Sequence, residues 1–440
     1  MNTPTIAAKH RVAVRPQPLG IFGGAADHLL LPWPNNGCGE SGFAALNSLL
    51  KGCIECEDMP DDWRFFQFAI QGELETAWQN LESLARVNSS ERPIHFYNQF
   101  VLRPSREQFD RLRNQFDGEL RIMLDATAYS LGTSDLPPRL DDSAAEFVGD
   151  ELKAWILATT AAADIDAQDF ESARDKLKGA AELAESHSPL LAAMLAAQGA
   201  RLGQFQLNVP AAIIKRDLET AIRWAESGQL PGLLAELWTQ LGMLQQTSAA
   251  QSREGLLEAV KAYQAAIQSI GDPHRNPLLF AELQNNLGLA YLAMTRAESS
   301  DRLRYGIAIQ SFRRGIELVD RERDDDLWAR INMNLASALQ YAPSSHPAEN
   351  LVQAVEIYEQ VLSYRSRARD PVAYALVLIN QANALAHLGM FKPSLEKAAE
   401  AYKLFLCHDQ VEQATTAREL VEQINEQLLQ TKEADEHGTS

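Results

Sequence analysis

One short pattern recurs four times at an almost constant interval, and it limits what this chain can fold into. The segments are LWTQLGMLQQ (237–246), LQNNLGLAYL (283–292), INMNLASALQ (331–340) and LINQANALAH (378–387). Each carries a small residue at one register position: Gly242, Gly288, Ala336 and Ala382, spaced 46, 48 and 46 residues apart. Each is followed by a second stretch with selected residues at i, i+4 and i+7. These are Ala259/Tyr263/Ala266, Ala308/Phe312/Gly315, Ala354/Tyr358/Val361 and Ser394/Ala398/Ala401. At helical spacing such residues share one face. The small residues let two helices approach closely, and the aromatic fills the space beside them. One hairpin of this kind cannot bury its apolar face alone. Neighbours stack to bury it, so the pattern predicts an all-α chain, an α-solenoid of helical hairpins.

These residues resemble the tetratricopeptide repeat. Trp238-x-x-Leu241-Gly242 and Leu287-Gly288-x-x-Tyr291 match that family's first-helix pattern, and GMFKPSLEKAAEAY (389–402) is similar to its turn and second helix. The ordinary repeat has about 34 residues, so enlarged loops within the hairpins, such as Thr295–Arg304, are expected to supply the longer period. AENLVQAVEIYEQVL (348–362) is similar to the long-looped version found in tandem bacterial arrays. Degenerate copies are QGELETAWQNLESL (71–84), QDFESARDKLKGA (168–180) and RDLETAIRWA (216–225).

The first sixty residues hold 7 of the chain's 24 glycines and 6 of its 19 prolines, so they read as an irregular N-terminal head. Short strands are expected around Leu29–Leu31 and one helix from about Ser41 to Leu50. The division follows: head 1–60, degenerate helical repeats 61–229, clear repeats 230–405, a capping helix 406–430 and a disordered tail 431–440. Ser188-Pro189, Asn276-Pro277 and Asp370-Pro371 each place an N-cap oxygen before a proline at the first helical position. Ser105 to Gln108 reads as a capping box.

The 440 residues carry 40 Lys+Arg against 59 Asp+Glu, a net charge of −19. So acidic a body is ill suited to nucleic-acid backbones or anionic membranes. No signal-peptide core or membrane-spanning run of about 18 apolar residues is present, and the expectation is a cytoplasmic protein. The arginines at 302, 304, 313, 314, 321 and 323 read as a solvated face paired with Asp324–Asp326.

In the tetratricopeptide architecture the first helix lines the concave face. Two residues before each small anchor stand Gln240, Asn286, Asn334 and Asn380. Each carboxamide offers a donor and an acceptor, matching an extended peptide backbone. The resemblance implies that this ladder grips a partner's main chain; the alternative is that the amides bond helix to helix. The family's carboxylate-clamp subtype needs cations on the first helix. Here Thr239, Asn285, Met333 and Ile379, with Glu236, Glu282, Arg330 and Leu376, supply one.

Cys53 and Cys56 form a C-x-x-C, with Cys38 fifteen residues before it and His28 a conceivable fourth ligand for a metal or redox site. Gly37 to Gly42 matches G-x-G-x-x-G without the βαβ context it needs. CGESGFAALNSLL resembles a papain-like nucleophile helix, yet no β-domain follows to carry the histidine; His95, His187, His274 and His346 read as loop or helix-end residues. Trp33, Trp63 and Phe65-Phe66 read as a small core docking the head. The reading is a non-enzymatic interaction scaffold without a cofactor, binding a protein or peptide. The alternatives are an assembly factor for a metalloenzyme or redox protein, using Cys38, Cys53 and Cys56, and a cysteine hydrolase.

Overall fold

The computed structural model describes residues 17–31, 40–55, 59–87, 92–138, 149–248, 252–294 and 300–437; it is all-helical, with no strand among them. The α-helices in chain order are α1 (Glu40–Leu50), α2 (Arg64–Ile70), α3 (Leu74–Val87), α4 (Arg92–Leu102), α5 (Arg106–Gln115), α6 (Gly118–Ser130), α7 (Asp150–Asp166), α8 (Phe170–Ala184), α9 (Pro189–Phe205) and α10 (Ala211–Ala225). There follow α11 (Pro231–Ser248), α12 (Arg253–Ile270), α13 (Pro277–Ala293), α14 (Asp301–Ile316), α15 (Asp325–Tyr341), α16 (Pro347–Tyr364), α17 (Pro371–His387), α18 (Phe391–Cys407) and α19 (Val411–His437). Two compact units, Met1–Leu237 and Trp238–Ser440, divide inside α11.

In the second unit each helix packs on the next, from α12 through α19. The small anchors do what their spacing demands. A Cβ added at Gly242 would lie 2.6 Å from Tyr263 Cε1, and one at Gly288 would lie 2.6 Å from Phe312 Cε1. Tyr263, Phe312 and Tyr358 are completely buried. The fourth hairpin has alanine where the others have the aromatic. There Ser394 Oγ donates to Ala382 O at 2.6 Å, tying the two helices directly. Burying one such ring is favourable by about 2–3 kcal/mol, and only a residue without a bulky side chain leaves room for it.

The long period comes from helix length as much as from loops. The two helices of the 277–316 hairpin span 17 and 16 residues, and those of the 325–364 hairpin span 17 and 18. The turn between α17 and α18 holds Gly389 at φ 74°, with Met390 N donating back to Leu385 O. The turn between α7 and α8 has the same geometry around Gln168 at φ 61°, with Asp169 N donating to Asp164 O. The 168–180 segment is therefore built like 389–402, with a side chain where glycine would carry no strain.

In the first unit, one hydrophobic core draws on residues from both sides of position 60. Leu19 and Leu29–Leu31 share one core with Leu49, Trp63, Phe65, Phe66, Tyr97, Phe100 and Trp155. The helix expected after Ser41 is α1. No strand forms at Leu29–Leu31. Side chains, not a neighbouring strand, satisfy the main chain of Leu30 and Leu31, while Leu29 N donates to Ala26 O. Asp370 caps α17 through Ala373 N, and Ser105 caps α5 through Gln108 N, whereas Ser188 and Asn276 precede their prolines without a side-chain cap bond. Helix α19 continues through the expected tail to His437, and residues 438–440 lie outside the described set.

Gly288→Ala is expected to lower stability by about 1–2 kcal/mol, the overpacking loss outweighing alanine's helix propensity. Gly306 on α14 faces open space, so Gly306→Ala should gain up to about 1 kcal/mol. Thermal melts of both variants, and of Gly288→Ala combined with Phe312→Leu to restore room, check the assignment.

Candidate functional site

The four ladder residues lie on α11, α13, α15 and α17, and all are half-buried. Helix α13 touches α15, α15 touches α17 and α17 touches α19, while α12, α14, α16 and α18 make no comparably close contacts with one another. Helices α13, α15 and α17 therefore form the inner side of this unit. Asn334 Nδ2 donates to Asn285 Oδ1 at 2.8 Å, a bond between neighbouring hairpins. Asn286 and Asn380 make no side-chain hydrogen bond with the described residues. The ladder is thus divided: one rung braces the array and two present open amides.

Other polar groups of the row join hairpin to hairpin. Asn383 Nδ2 donates to the Tyr341 hydroxyl at 2.8 Å, and the His387 ring meets Tyr341 edge-on at 6.2 Å. Arg330, the single cation at the clamp positions, pairs with Glu282 at 3.4 Å. Gln381 Nε2 reaches back to Glu359 at 2.7 Å; that bond, then Lys397, holds the Glu359 carboxyl below its ordinary value. Met243, Tyr341 and Leu376 stand exposed along the row, with Leu289, Leu292, Met333 and Ile379 half-buried.

The arginine cluster is not one solvated face. Arg304 is buried, pairing with Asp301 at 2.8 Å and donating to Met294 O. Arg321 lies over the rings of Trp328 and Tyr364, 4.7 and 3.1 Å from their centroids. The partners of Asp325 and Asp326 are Arg369 and Arg365, from the loop before α17. A guanidinium between two rings gives up little hydration and gains the quadrupole attraction of both, which sequence spacing does not disclose.

Cys53 is half-buried and its thiol donates to Glu55 O at 3.1 Å. Cys38, Cys56, Trp33 and Gly37–Gly39 lie outside the described residues. Among the described residues no three His, Cys, Asp or Glu side chains converge on a metal position, and no helix is long and apolar enough to cross a membrane. Trp63, Phe65 and Phe66 are buried core. His95 is buried in the first turn of α4.

The first unit contains an arrangement that sequence reading missed. Asn98 on α4 accepts from Leu30 N at 2.8 Å and donates to Leu30 O at 2.7 Å. Gln17 does the same for Leu31, at 3.0 and 3.2 Å. The Tyr97 hydroxyl donates to His28 O at 2.9 Å and lies 2.6 Å from Thr127 Oγ1. His28 stands edge-on to Trp155 at 5.5 Å, and burial pushes its imidazole down to about 4. The usable signal was the apolar run Leu29–Leu31 stopping at Pro32, which marked the segment but not its partners.

No family model matches this chain, and no curated protein matches it. Among solved structures it is similar to the crystal structure of aspartyl phosphate phosphatase F from Bacillus subtilis. The identity is 12% and the TM-score 0.40, with 89% of this chain and 96% of that chain covered.

Asn334→Ala should cost about 1 kcal/mol through the lost bond to Asn285, whereas Asn286→Ala and Asn380→Ala should each stay within about 0.5 kcal/mol of the parent; urea midpoints distinguish them. The neutral His28 predicts an acid-labile first unit. Its unfolded form takes up a proton near pH 6.5 and its folded form near 4, so stability falls by about 3 kcal/mol as pH drops across that interval and falls no further from this group below it. Asp27, whose carboxyl burial raises, titrates with the opposite sign. Comparing the pH dependence of His28→Gln with that of the parent therefore isolates the imidazole.

Proposed function

We propose that the chain is a tetratricopeptide-type interaction scaffold whose second unit binds an extended segment of a partner protein along the inner row of α11, α13, α15 and α17. The observation that carries this reading is the pair of half-buried carboxamides, Asn286 and Asn380, without intramolecular partners among the described residues. An amide in that state loses little by turning from water to a peptide main chain, and it offers both halves of the match. The exposed Met243, Tyr341 and Leu376 supply apolar contact beside it. Arg330 is already paired with Glu282, which disfavours a carboxylate tail as the ligand. The role is binding without turnover, in the cytoplasm, toward a protein and not a nucleic acid or membrane.

The test is affinity purification of the tagged chain from its native cell, beside an Asn286→Ala/Asn380→Ala variant, with partners identified by mass spectrometry. The variant keeps its melting temperature. Loss of a partner from it, with retention by Gly306→Ala, is the expected result. A partner held equally by both overturns the assignment to this row.

A further inference from the structure

The segment Gln17–Leu31 is bound as a peptide ligand is bound. Its main chain is read by side-chain amides and a hydroxyl instead of by another backbone: Asn98 takes both polar groups of Leu30, and Tyr97, lying against Thr127, takes the carbonyl of His28. Its side chains fill apolar space. Leu29, Leu30 and Leu31 are no more than 1% exposed and share one core with Trp63, Phe66, Tyr97 and Phe100. Contacts made farther along are equally close: a Cβ at Gly20 would lie 2.9 Å from Leu191 on α9 and 3.7 Å from Trp155 on α7. Gln17 closes the segment on itself through Leu31, so the stretch comes ready-shaped as a loop whose ends are clipped together. Asp27 fixes its bend by accepting from Phe22 N and Gly23 N, each at 2.8 Å.

We propose that the helices α2, α4, α6, α7 and α9 form a peptide-recognition site, specific for an extended run of large aliphatic residues, and that the chain's own Gln17–Leu31 occupies it in cis as a separable ligand. Recognition of this kind reads the main chain through the amide and the side chains through the apolar bed, so it selects a shape and a hydropathy rather than a charge. Tethering gives the segment a high effective concentration and keeps the site filled.

Separability is what distinguishes a ligand from an ordinary piece of core, and it can be measured on the complete set of residues. The chain is co-expressed as two pieces, tagged 1–36 and 37–440, and isolated through the tag. An excess of fluorescent synthetic peptide 17–31 is then added. The expected result is assembly of the pieces, followed by replacement of the tagged piece by the labelled peptide with helical circular dichroism unchanged. Labelled peptides with Gln17→Ala, or with serine at 29, 30 and 31, should compete at least about ten-fold less well. So should the native peptide when the large piece carries Asn98→Asp, which keeps the shape but cannot donate to Leu30 O; ten-fold is about 1.4 kcal/mol. Failure of the pieces to assemble overturns the proposal. So does exchange that occurs only at denaturant concentrations that melt the helices, or equal competition by the altered peptides.

Discussion

The contact on which the second unit depends is an aromatic ring set against a helix that has no side chain to offer. Tyr263 on Gly242 and Phe312 on Gly288 bring two helices closer than any branched pair would permit. The close approach gives each hairpin a fixed shape, and a fixed shape is what allows identical stacking down the chain. Each hairpin then contributes its own stability plus one interface, the additive behaviour of one-dimensional arrays. Where the aromatic is missing, at Ala398, a buried hydroxyl from Ser394 bonds the facing backbone instead. The same spacing is kept by a different force.

That contact is also why so much of the fold was legible. Small and aromatic residues at i, i+4 and i+7 are a statement about one helix face, and the 46–48-residue interval repeats the statement four times. Helix pairing, order and turns followed. Less legible were features set by tertiary context. Nothing in the sequence near Leu29–Leu31 says whether a neighbouring strand or an asparagine 68 positions away will satisfy the main chain. Ser188 and Asn276 have the composition of caps and do not act as caps. Gln168 adopts the left-handed turn that Gly389 adopts freely, because burial of Ala173 and Leu177 outweighs a local strain of about 1 kcal/mol.

The ladder was legible as a row but not as a set of bonding states. Register placed Gln240, Asn286, Asn334 and Asn380 on successive first helices. It could not show that Asn285 turns toward Asn334, since that depends on how far one helix advances past the next. The arginines taught the converse: six in a short stretch looked like one charged surface, yet Arg304 is buried with Asp301 and Arg321 lies over two rings. Proximity in sequence gives the inventory, and the neighbouring helix decides the use.

The polar seam of the inner row, Glu282 to Arg330, Asn285 to Asn334 and Tyr341 to Asn383, links the 277–316 hairpin to the 325–364 hairpin and that one to α17. Apolar packing tolerates small rotations, because it has no direction; these bonds have direction and remove that freedom. The surface they frame is consequently set on folding. The conformational entropy that a looser array would keep has here been given up during folding, so these hairpins present a ruler rather than a glove.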